Sequence, residues 1–169
     1  MTTFDFGNGP VPAHNHPNGG GWVADTATVA KTAYVGPDAK VYGDAQVYGN
    51  AKVYGNAWVY GDAQVYGNAQ VYGNAVVYGN AWVLANAQVF DNAWVYGDTW
   101  VSGKAWVYGN ARVFGKAQVY GKARVYGNAQ VYGDTWVSGN AHVSDNAEVA
   151  EEDVFIEMNG KRYKLVEVE

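Results

Sequence analysis

A cluster of basic residues in the second half of the chain could bind an anion. Between Thr99 and Gly133 the sequence has no acidic residue and five basic ones: Lys104, Arg112, Lys116, Lys122 and Arg124. Aromatic residues alternate with them, among them Trp106, Tyr108 and Tyr126. Because Arg and Lys bind phosphate while aromatic rings stack on planar bases, this mixture suits a small nucleotide-like anion. The alternative is an ordinary cation–π pair that only stabilises the fold.

The three histidines are the other candidates for chemistry. His142, close to Ser144, is the sole candidate for a general base, and a polar surface position is the alternative. His14 and His16 are weak candidates for a metal site, with a role in turns or a cap as the alternative. The chain has no cysteine, which excludes disulfides, thiolate zinc sites and CxxC redox sites. No glycine-rich phosphate loop is present, and no cofactor is expected.

The composition is that of a repeat protein. Of the 169 residues, 27 are Val, 24 Ala, 22 Gly and 14 Tyr, against two Leu and one Ile. A helix bundle is excluded because its seams need leucine at a period of about 3.5 residues. The net charge of −5 argues against binding of duplex DNA through bulk charge. No stretch has the length and apolarity of a membrane span and the first residues do not resemble a secretion signal, so a cytoplasmic location is expected.

The repeat is a hexad built around valine. Valine recurs at every sixth residue from Val23 to Val149, which gives 22 hexads of the form Ala-x-Val-Tyr-Gly-Asn/Asp. Because side chains alternate between the two faces of a strand, Ala and Val share the inner face while x and Tyr share the outer face. Gly and Asn/Asp tolerate positive φ and turn the chain. A period of six is too short for a hairpin, so several hexads must form one coil of a solenoid.

This pattern resembles that of the hexapeptide-repeat family, in which an aliphatic residue at i is followed by a small one at i+4. Residues 21–150 carry it without an insertion, and the segment 12–23 (PAHNHPNGGGWV) resembles the leader of hexapeptide proteins from bacteria and tailed phages. The resemblance implies an all-β fold: a single-stranded, left-handed parallel β-helix with three hexads per coil, assembled as a homotrimer. The hexads would then form about seven coils stacked ~4.8 Å apart.

Both ends of such a solenoid need caps, since open strand edges invite pairing. Residues 1–20 are predicted to be an irregular N-terminal cap, and residues 21–150 the β-helix. Residues 151–169 are predicted to form a C-terminal β-hairpin around Asn159-Gly160. Docking to another molecule is the alternative role for both end segments.

Counting by eighteen residues sorts the outward side chains into three faces. On the third face Arg124 falls between Trp106 and His142, with Tyr108 and Tyr126 beside it. Lys104 and Lys122 fall at the corner that leads into this face. All seven Trp and most Tyr point outward, which favours stacking along the rod together with burial of one or two faces between subunits.

These patterns predict a non-catalytic, rigid homotrimer that sequesters or senses a small anionic ligand in clefts between subunits. The predicted ligand-binding residues are Lys104, Trp106, Tyr108, Arg112, Lys122, Arg124, Tyr126 and His142. One alternative is an acyltransferase with His142 as base, although the loop insertion typical of such family members is missing. The other is a structural scaffold or virion part whose aromatic faces dock protein. For a phage-encoded chain the expected compartment is the host cytoplasm.

Overall fold

The computed structural model has an all-β fold in which short strands follow one another at intervals of six residues. It describes residues 2–150 in full, and the backbone alone for residues 154–158 and 161–165. Within these ranges there is no helix of the length and apolarity that a membrane crossing takes.

Each hexad forms one strand of two or three residues followed by a turn. Each strand from Trp22–Ala24 to Gln130–Val131 pairs in parallel with the strand eighteen residues later, as Val59 does with Val77. The backbone supplies the bonds between coils, for example from the Trp58 N–H to the Ala75 carbonyl at 3.0 Å. Three strands therefore make one turn of the solenoid. The predicted parallel β-solenoid of about seven turns is confirmed.

The first face of the solenoid is a ten-stranded sheet that includes the N-terminal strands. Its order is β1-β2-β3-β6-β9-β12-β15-β18-β21-β24. The bounds are β1 Thr3–Asp5, β2 Pro10–Asn15, β3 Trp22–Ala24, β6 Lys40–Val41, β9 Trp58–Val59, β12 Val76–Tyr78, β15 Trp94–Tyr96, β18 Arg112–Val113, β21 Gln130–Val131 and β24 Glu148–Val149.

The second and third faces are seven-stranded parallel sheets. The second contains β4 Thr28–Val29, β7 Gln46–Val47, β10 Gln64–Val65, β13 Trp82–Val83, β16 Trp100–Val101, β19 Gln118–Val119 and β22 Trp136–Val137. The third contains β5 Tyr34–Val35, β8 Lys52–Val53, β11 Gln70–Val71, β14 Gln88–Val89, β17 Trp106–Val107, β20 Arg124–Val125 and β23 His142–Val143. The sorting of outward residues by eighteen is thereby confirmed.

The core is a column of valines and alanines along the axis. Nearly all repeat valines from Val23 to Val149 are fully buried, with Val29 partly buried near the start. Each fully buried valine contributes roughly 1.5–3 kcal/mol through removal of its side chain from water. Thr99 and Thr135 replace alanine in two hexads and are also buried. The Thr99 hydroxyl has no hydrogen-bond partner among the described residues.

From Gly43 to Asp145 every corner has a left-handed backbone, which explains the glycine in most hexads. Gly43 has a φ of 68°, and a Cβ there would lie 2.9 Å from the Gly61 nitrogen of the next coil. Three corners nevertheless carry a side chain at positive φ: Ala85 (60°), Asp91 (58°) and Asp145 (63°). Such residues cost roughly 1–2 kcal/mol each relative to glycine's freedom in this region.

The N-terminal cap is regular, and the prediction of an irregular segment is wrong for residues 3–5 and 10–15. The strands β1 and β2 pair antiparallel, and β2 pairs antiparallel with β3, so the cap extends the first sheet. The Asp5 carboxylate accepts hydrogen bonds from the N–H groups of Gly7 and Gly9, at 2.7 and 3.0 Å, and closes the turn. Phe6 is buried against Ala13 and Ala24, which gives the hairpin a small core.

The glycines of the leader allow it to lie directly on the first coil. A Cβ at Gly19 would lie 2.2 Å from the Val35 carbonyl oxygen, and one at Gly21 would lie 2.2 Å from that of Gly36. Just before them Asn18 binds the coil twice: its side-chain amide donates to the Ala33 carbonyl, and its own carbonyl accepts from the Val35 N–H.

The C-terminal segment contains an antiparallel strand pair, β25 (Val154–Met158) and β26 (Lys161–Leu165), in which Val154 is opposite Leu165. The predicted turn at Asn159-Gly160 and residues 151–153 and 166–169 lie outside the described residues. The capping role of this pair stays a prediction.

Candidate binding surface on the third face

A column of stacked rings runs along the third face next to the candidate site. The residues that follow each valine are Tyr54, Tyr72, Phe90, Tyr108 and Tyr126, with ring centroids 4.8–5.0 Å apart and interplanar angles of at most 8°. A planar base inserted between two rings would need roughly twice the ~3.5 Å contact distance of carbon atoms. The inner rings of the column therefore have both faces covered and present only their edges to solvent, whereas Tyr126 ends the column because Ser144 follows it.

Arg124 lies over the indole of the preceding coil. Its guanidinium carbon is 4.8 Å from the Trp106 ring centroid, as expected for the cation–π alternative. Trp106 is half-buried and stands edge-on to Phe90 and Tyr108, whereas Arg124 is exposed. The guanidinium covers one face of the indole, and its N–H groups are left to bind an anion at the surface.

The register explains what the basic residues replace on this face. Tyr54 and Tyr72 donate hydrogen bonds to the Gln70 and Gln88 side chains sixteen residues later, at 3.2 and 3.1 Å. At the same offset Tyr108 precedes Arg124, and Tyr126 precedes His142. A neutral Tyr–Gln lattice in the first coils thus gives way to tyrosines beside Arg and His.

The charge of Arg124 affects the pKa of the Tyr108 phenol. Burial raises the pKa of the Tyr108 phenol, Tyr126 raises it further, and the Arg124 charge lowers it, while Asp91 contributes a smaller rise. Asp91 lies at the far corner of this face, where its carboxylate accepts a hydrogen bond from the Gly109 N–H at 3.2 Å. The cationic part of the surface is therefore on the opposite side, next to the corner before the strands.

Lys104 and Lys122 occupy that corner in two successive coils. Each donates its backbone N–H to the glycine carbonyl of the coil after it, Gly121 and Gly139, at 2.7 Å. Both side chains are exposed. The other residues of this corner column are neutral: Thr32, Asn50, Asn68, Asn86 and Asn140. Two lysines in register therefore add charge where the rest of the column has none.

Arg112 lies on a different face of the chain from the rest of the predicted ligand-binding residues. It lies on the first face, in β18, with its guanidinium carbon 5.7 Å from the Trp94 ring centroid. The predicted ligand-binding set is therefore divided by the corner between the two faces. Lys104, Trp106, Tyr108, Lys122, Arg124, Tyr126 and His142 share the third face and its leading corner, and Arg112 is separate.

His142 lies directly after Arg124 in the third sheet. It is exposed, and its ring stands edge-on to Tyr126 with centroids 6.3 Å apart. The nearby Ser144 hydroxyl is 3.2 Å from Asp145 Oδ2 and donates to it. His142 thus extends the polar surface around Arg124 by one coil.

His14 and His16 point to different environments. His14 is half-exposed, and its Nδ1 is 2.8 Å from Asp25 Oδ1. His16 is 3% exposed, with its Nδ1 3.1 Å from the Asn18 carbonyl oxygen. Within the described part of the chain no three His, Cys, Asp or Glu side chains come together in a way that could hold a metal ion.

The second face contains a groove that the sequence analysis missed. Its volume is about 550 Å³, and it is lined by Asp98, Trp100, Lys116, Gln118, Asp134 and Trp136. The signal was present as two tryptophans 36 residues apart, which is two turns of the solenoid.

The unbroken hexads and three parallel sheets define a β-solenoid repeat protein. The chain belongs to the YdcK beta solenoid repeat family, whose repeat matches residues 45–61, 69–84, 87–103, 105–121, 117–133 and 123–139, half of the chain in all. The prediction of a repeat-type β-helix family is confirmed. The matched residues do not include the leader, so its resemblance stays a prediction. Comparison with curated proteins finds no match.

Proposed function

We propose that this protein is a non-catalytic, rigid binding protein that holds a small phosphate-bearing anion on its third face. The observation that carries the proposal is the placement of Lys104, Lys122 and Arg124 in adjacent coils, exposed and without an acidic residue in their corner column. Arg and Lys at this spacing supply charge-assisted hydrogen bonds to phosphate oxygens.

The aromatic column contributes its edges. Aromatic rings carry a negative face and a positive edge, so the outward edges of Tyr108 and Tyr126 favour a nearby anion. Because the Tyr108 and Tyr126 rings already stack on each other at 5.0 Å, a nucleobase would lie against the surface and not between these two rings. The phosphate is therefore the part of the ligand that this surface recognises.

In this proposal the site is completed by association of three copies. Support comes from large aromatic surface that remains exposed in the single chain, such as Trp94 on the first face at 41%. Exposed aromatic surface of this kind is typical of association sites. The protein would work in the cytoplasm, where phosphate-bearing metabolites are made and used.

The test is calorimetric titration with pyrophosphate and with adenosine monophosphate at low salt. Lys104→Asn with Lys122→Asn restores the neutral residue of this corner column, so the fold should be retained. Loss of charge-assisted bonds worth about 1.5–3 kcal/mol predicts a tenfold or greater loss of affinity. Arg124→Ala should weaken binding similarly.

Arg112→Ala is the matched control, because Arg112 also lies over a tryptophan but on the first face. Equal losses from the Arg112 and Arg124 variants, or no binding of either probe by the natural protein, would contradict the proposal. Native mass spectrometry of protein purified from cells then measures the number of chains and any retained ligand together. Turnover of acetyl-CoA that His142→Ala abolishes would establish the acyltransferase alternative instead.

A further inference from the structure

We infer that the second face carries a separate site for a quaternary ammonium group, in the groove between Trp100 and Trp136. This site lies on another sheet than the anion-binding surface and takes a ligand of opposite charge. It goes beyond the proposed function and does not depend on it.

The groove is a gap between two tryptophans with a smaller residue between them. Gln118 pairs with Trp100 on one side and with Trp136 on the other, so the two tryptophans are two coils apart, about 10 Å. Trp82 stacks on Trp100 at 4.9 Å with an interplanar angle of 3°. The stack runs along the solenoid axis, so the opposite face of Trp100 points toward the coil of Gln118. Trp136 is 63% exposed and borders the same groove.

The same protein fills an equivalent gap with its own cation. On the first face Lys40 lies between Trp22 and Trp58, and its Nζ is 4.4 Å from the Trp58 ring centroid. It is also 5.6 Å from Phe4, whose ring stacks on Trp22. The space between aromatic residues two coils apart therefore accommodates a positively charged group.

The residue in the middle decides how each gap is filled. The first face has a second pair, Trp58 and Trp94, with Val76 between them. In the pair on the second face the middle residue is Gln118, which is neutral and polar. The gap at Gln118 is thus bordered by aromatic residues like the gap at Lys40. Its middle residue, however, does not supply a cation.

The charges around the groove favour a cation. Two carboxylates, Asp98 and Asp134, and one ammonium group, Lys116, line it, so its net charge is negative. Lys116 Nζ is 3.9 Å from Asp134 Oδ1, and both side chains are well exposed, so this pair is weak and screened by salt. Asp98 accepts a hydrogen bond from the Asn80 side chain at 2.7 Å, which holds the carboxylate at the groove.

The width of the gap selects the shape of the cation. A group centred between the tryptophans lies about 5 Å from each, within the ~6 Å range of cation–π contacts. A flat guanidinium sandwiched between rings needs them only about 7 Å apart at carbon contact distances. A quaternary ammonium fills the wider gap with its methyl groups, and it has no N–H that would need an acceptor.

The experiment is titration with choline, followed by tryptophan fluorescence and calorimetry at low salt. The natural protein should bind choline and tetramethylammonium, and it should bind 3,3-dimethylbutanol, the neutral isostere of choline, at least tenfold more weakly. Equal binding of the neutral isostere would show a merely apolar groove and overturn the inference. Absence of choline binding would overturn it as well.

Two variants test the location. Gln118→Lys supplies the internal cation that Lys40 provides on the first face and should abolish choline binding. The matched control is Gln64→Lys, which adds the same charge to the same face three coils away and should leave binding unchanged. Trp136→Ala should reduce affinity at least tenfold, and circular dichroism checks that the fold is retained. Choline binding that survives both Gln118→Lys and Trp136→Ala would contradict the site.

Phosphocholine distinguishes the source of the ammonium group. Tighter binding of phosphocholine than of choline, lost in Lys116→Ala, would assign the site to a zwitterionic headgroup, with Lys116 holding the phosphate. Equal or weaker binding would assign it to the free cation. Choline and tetramethylammonium carry no phosphate, so the outcome of their titrations is independent of the anion titrations. Loss in Lys116→Ala separates phosphocholine binding in this groove from binding at Lys104, Lys122 and Arg124.

Discussion

The first and second faces are built from the same hexad but expose their aromatic rings differently. On the first face Phe6 begins an unbroken stack of seven rings, with centroids 4.8–5.1 Å apart: Phe6, Tyr42, Tyr60, Tyr78, Tyr96, Phe114 and Tyr132. On the second face Tyr48 and Tyr66 stack, and then Leu84 and Ser102 interrupt the column. Trp100, Tyr120 and Trp136 are exposed there.

The comparison shows that an unbroken stack exposes ring edges, whereas an interrupted stack also exposes ring faces. On the first face every ring from Tyr42 to Phe114 in the column has both of its faces covered by neighbours, so little ring surface is left for a ligand. Where the column is interrupted by Leu84 and Ser102, the rings next to the interruption keep one face without a stacked neighbour. We expect the two faces to respond differently to four changes.

High pH should have the largest effect, because it destabilises the columns of stacked tyrosines. Burial raises the pKa of Tyr42 to about 12, and the neighbouring Tyr60 adds to the rise. Burial also raises the pKa of Tyr54, Tyr60, Tyr66, Tyr72, Tyr78 and Tyr108. Because these folded pKa values exceed the unfolded value of about 10, the protonated phenols stabilise the fold fully below pH ~10.

The free energy of unfolding should therefore stay level up to pH ~10 and then fall as the pH rises toward 12. Urea unfolding at a series of pH values measures it, with phenolate absorbance as a parallel signal. Tyr42→Phe with Tyr60→Phe preserves the stack, as Phe114 does, and should make the loss smaller, because two phenols with a raised pKa are removed. Stability that remains level through pH 12 would contradict this account.

Truncation of a ring inside the unbroken stack should be the next largest effect. Tyr78 stacks on Tyr60 at 5.0 Å and on Tyr96 at 4.8 Å. Since each aromatic pair is worth about 0.5–1.5 kcal/mol beyond its buried area, Tyr78→Ala should lower the free energy of unfolding by about 2–3 kcal/mol. Tyr120→Ala on the second face, where the ring is 37% exposed, should cost clearly less. Equal losses of unfolding free energy in the two variants, measured by urea unfolding, would contradict the proposed difference between the faces.

Repair of the interrupted column should stabilise the second face. Leu84→Tyr combined with Ser102→Tyr would complete a stack from Tyr66 to Tyr120, and the new ring pairs should add about 1–2 kcal/mol. The melting temperature and urea midpoint should both rise. Each single variant serves as the control, because it extends the stack from one end only and should give less than half of the gain. A double variant no more stable than the natural protein would contradict the argument.

The smallest effect concerns the corner next to the interruption. Ala85 follows Leu84 with a φ of 60°, in a column where neighbouring coils use glycine. Ala85→Gly should raise the free energy of unfolding by about 1 kcal/mol, because glycine adopts this conformation without strain. Asp91→Gly relieves the same strain but loses the hydrogen bond from the Gly109 N–H, so its gain should be smaller. A larger gain for Asp91→Gly would contradict this explanation.

The fold could be predicted from the sequence because the repeat determines both packing and register. Valine at every sixth residue sets the inner column, and counting by eighteen assigned every outward residue to its correct sheet. The N-terminal hairpin was missed because β1 and β2 carry no hexad pattern, and their pairing depends on contacts such as Phe6 with Tyr42.

The candidate sites were less predictable because they depend on distances across a corner or between coils. Counting by eighteen puts Arg112 on the first face, as the structure does, and its assignment to the site depends on contacts between subunits that the repeat alone does not determine. The groove at Gln118 was missed since it depends on which side chain lies between two tryptophans. The order of residues in the sequence indicates which side chains stack. The distances between them and their exposure come only from the three-dimensional structure.

The two periods of the molecule have different consequences for its evolution. The core looks the same after a shift of six residues, because every hexad presents Ala and Val inward. The surface repeats its faces only after eighteen. Gain or loss of one hexad would leave the interior intact, yet it would move every later outward side chain onto a neighbouring sheet. Duplication of a whole coil would lengthen the rod by about 4.8 Å and keep each surface in line. Two changes in length that stability tolerates equally well can thus have opposite effects on function. A whole coil preserves a binding surface, and a single hexad destroys it.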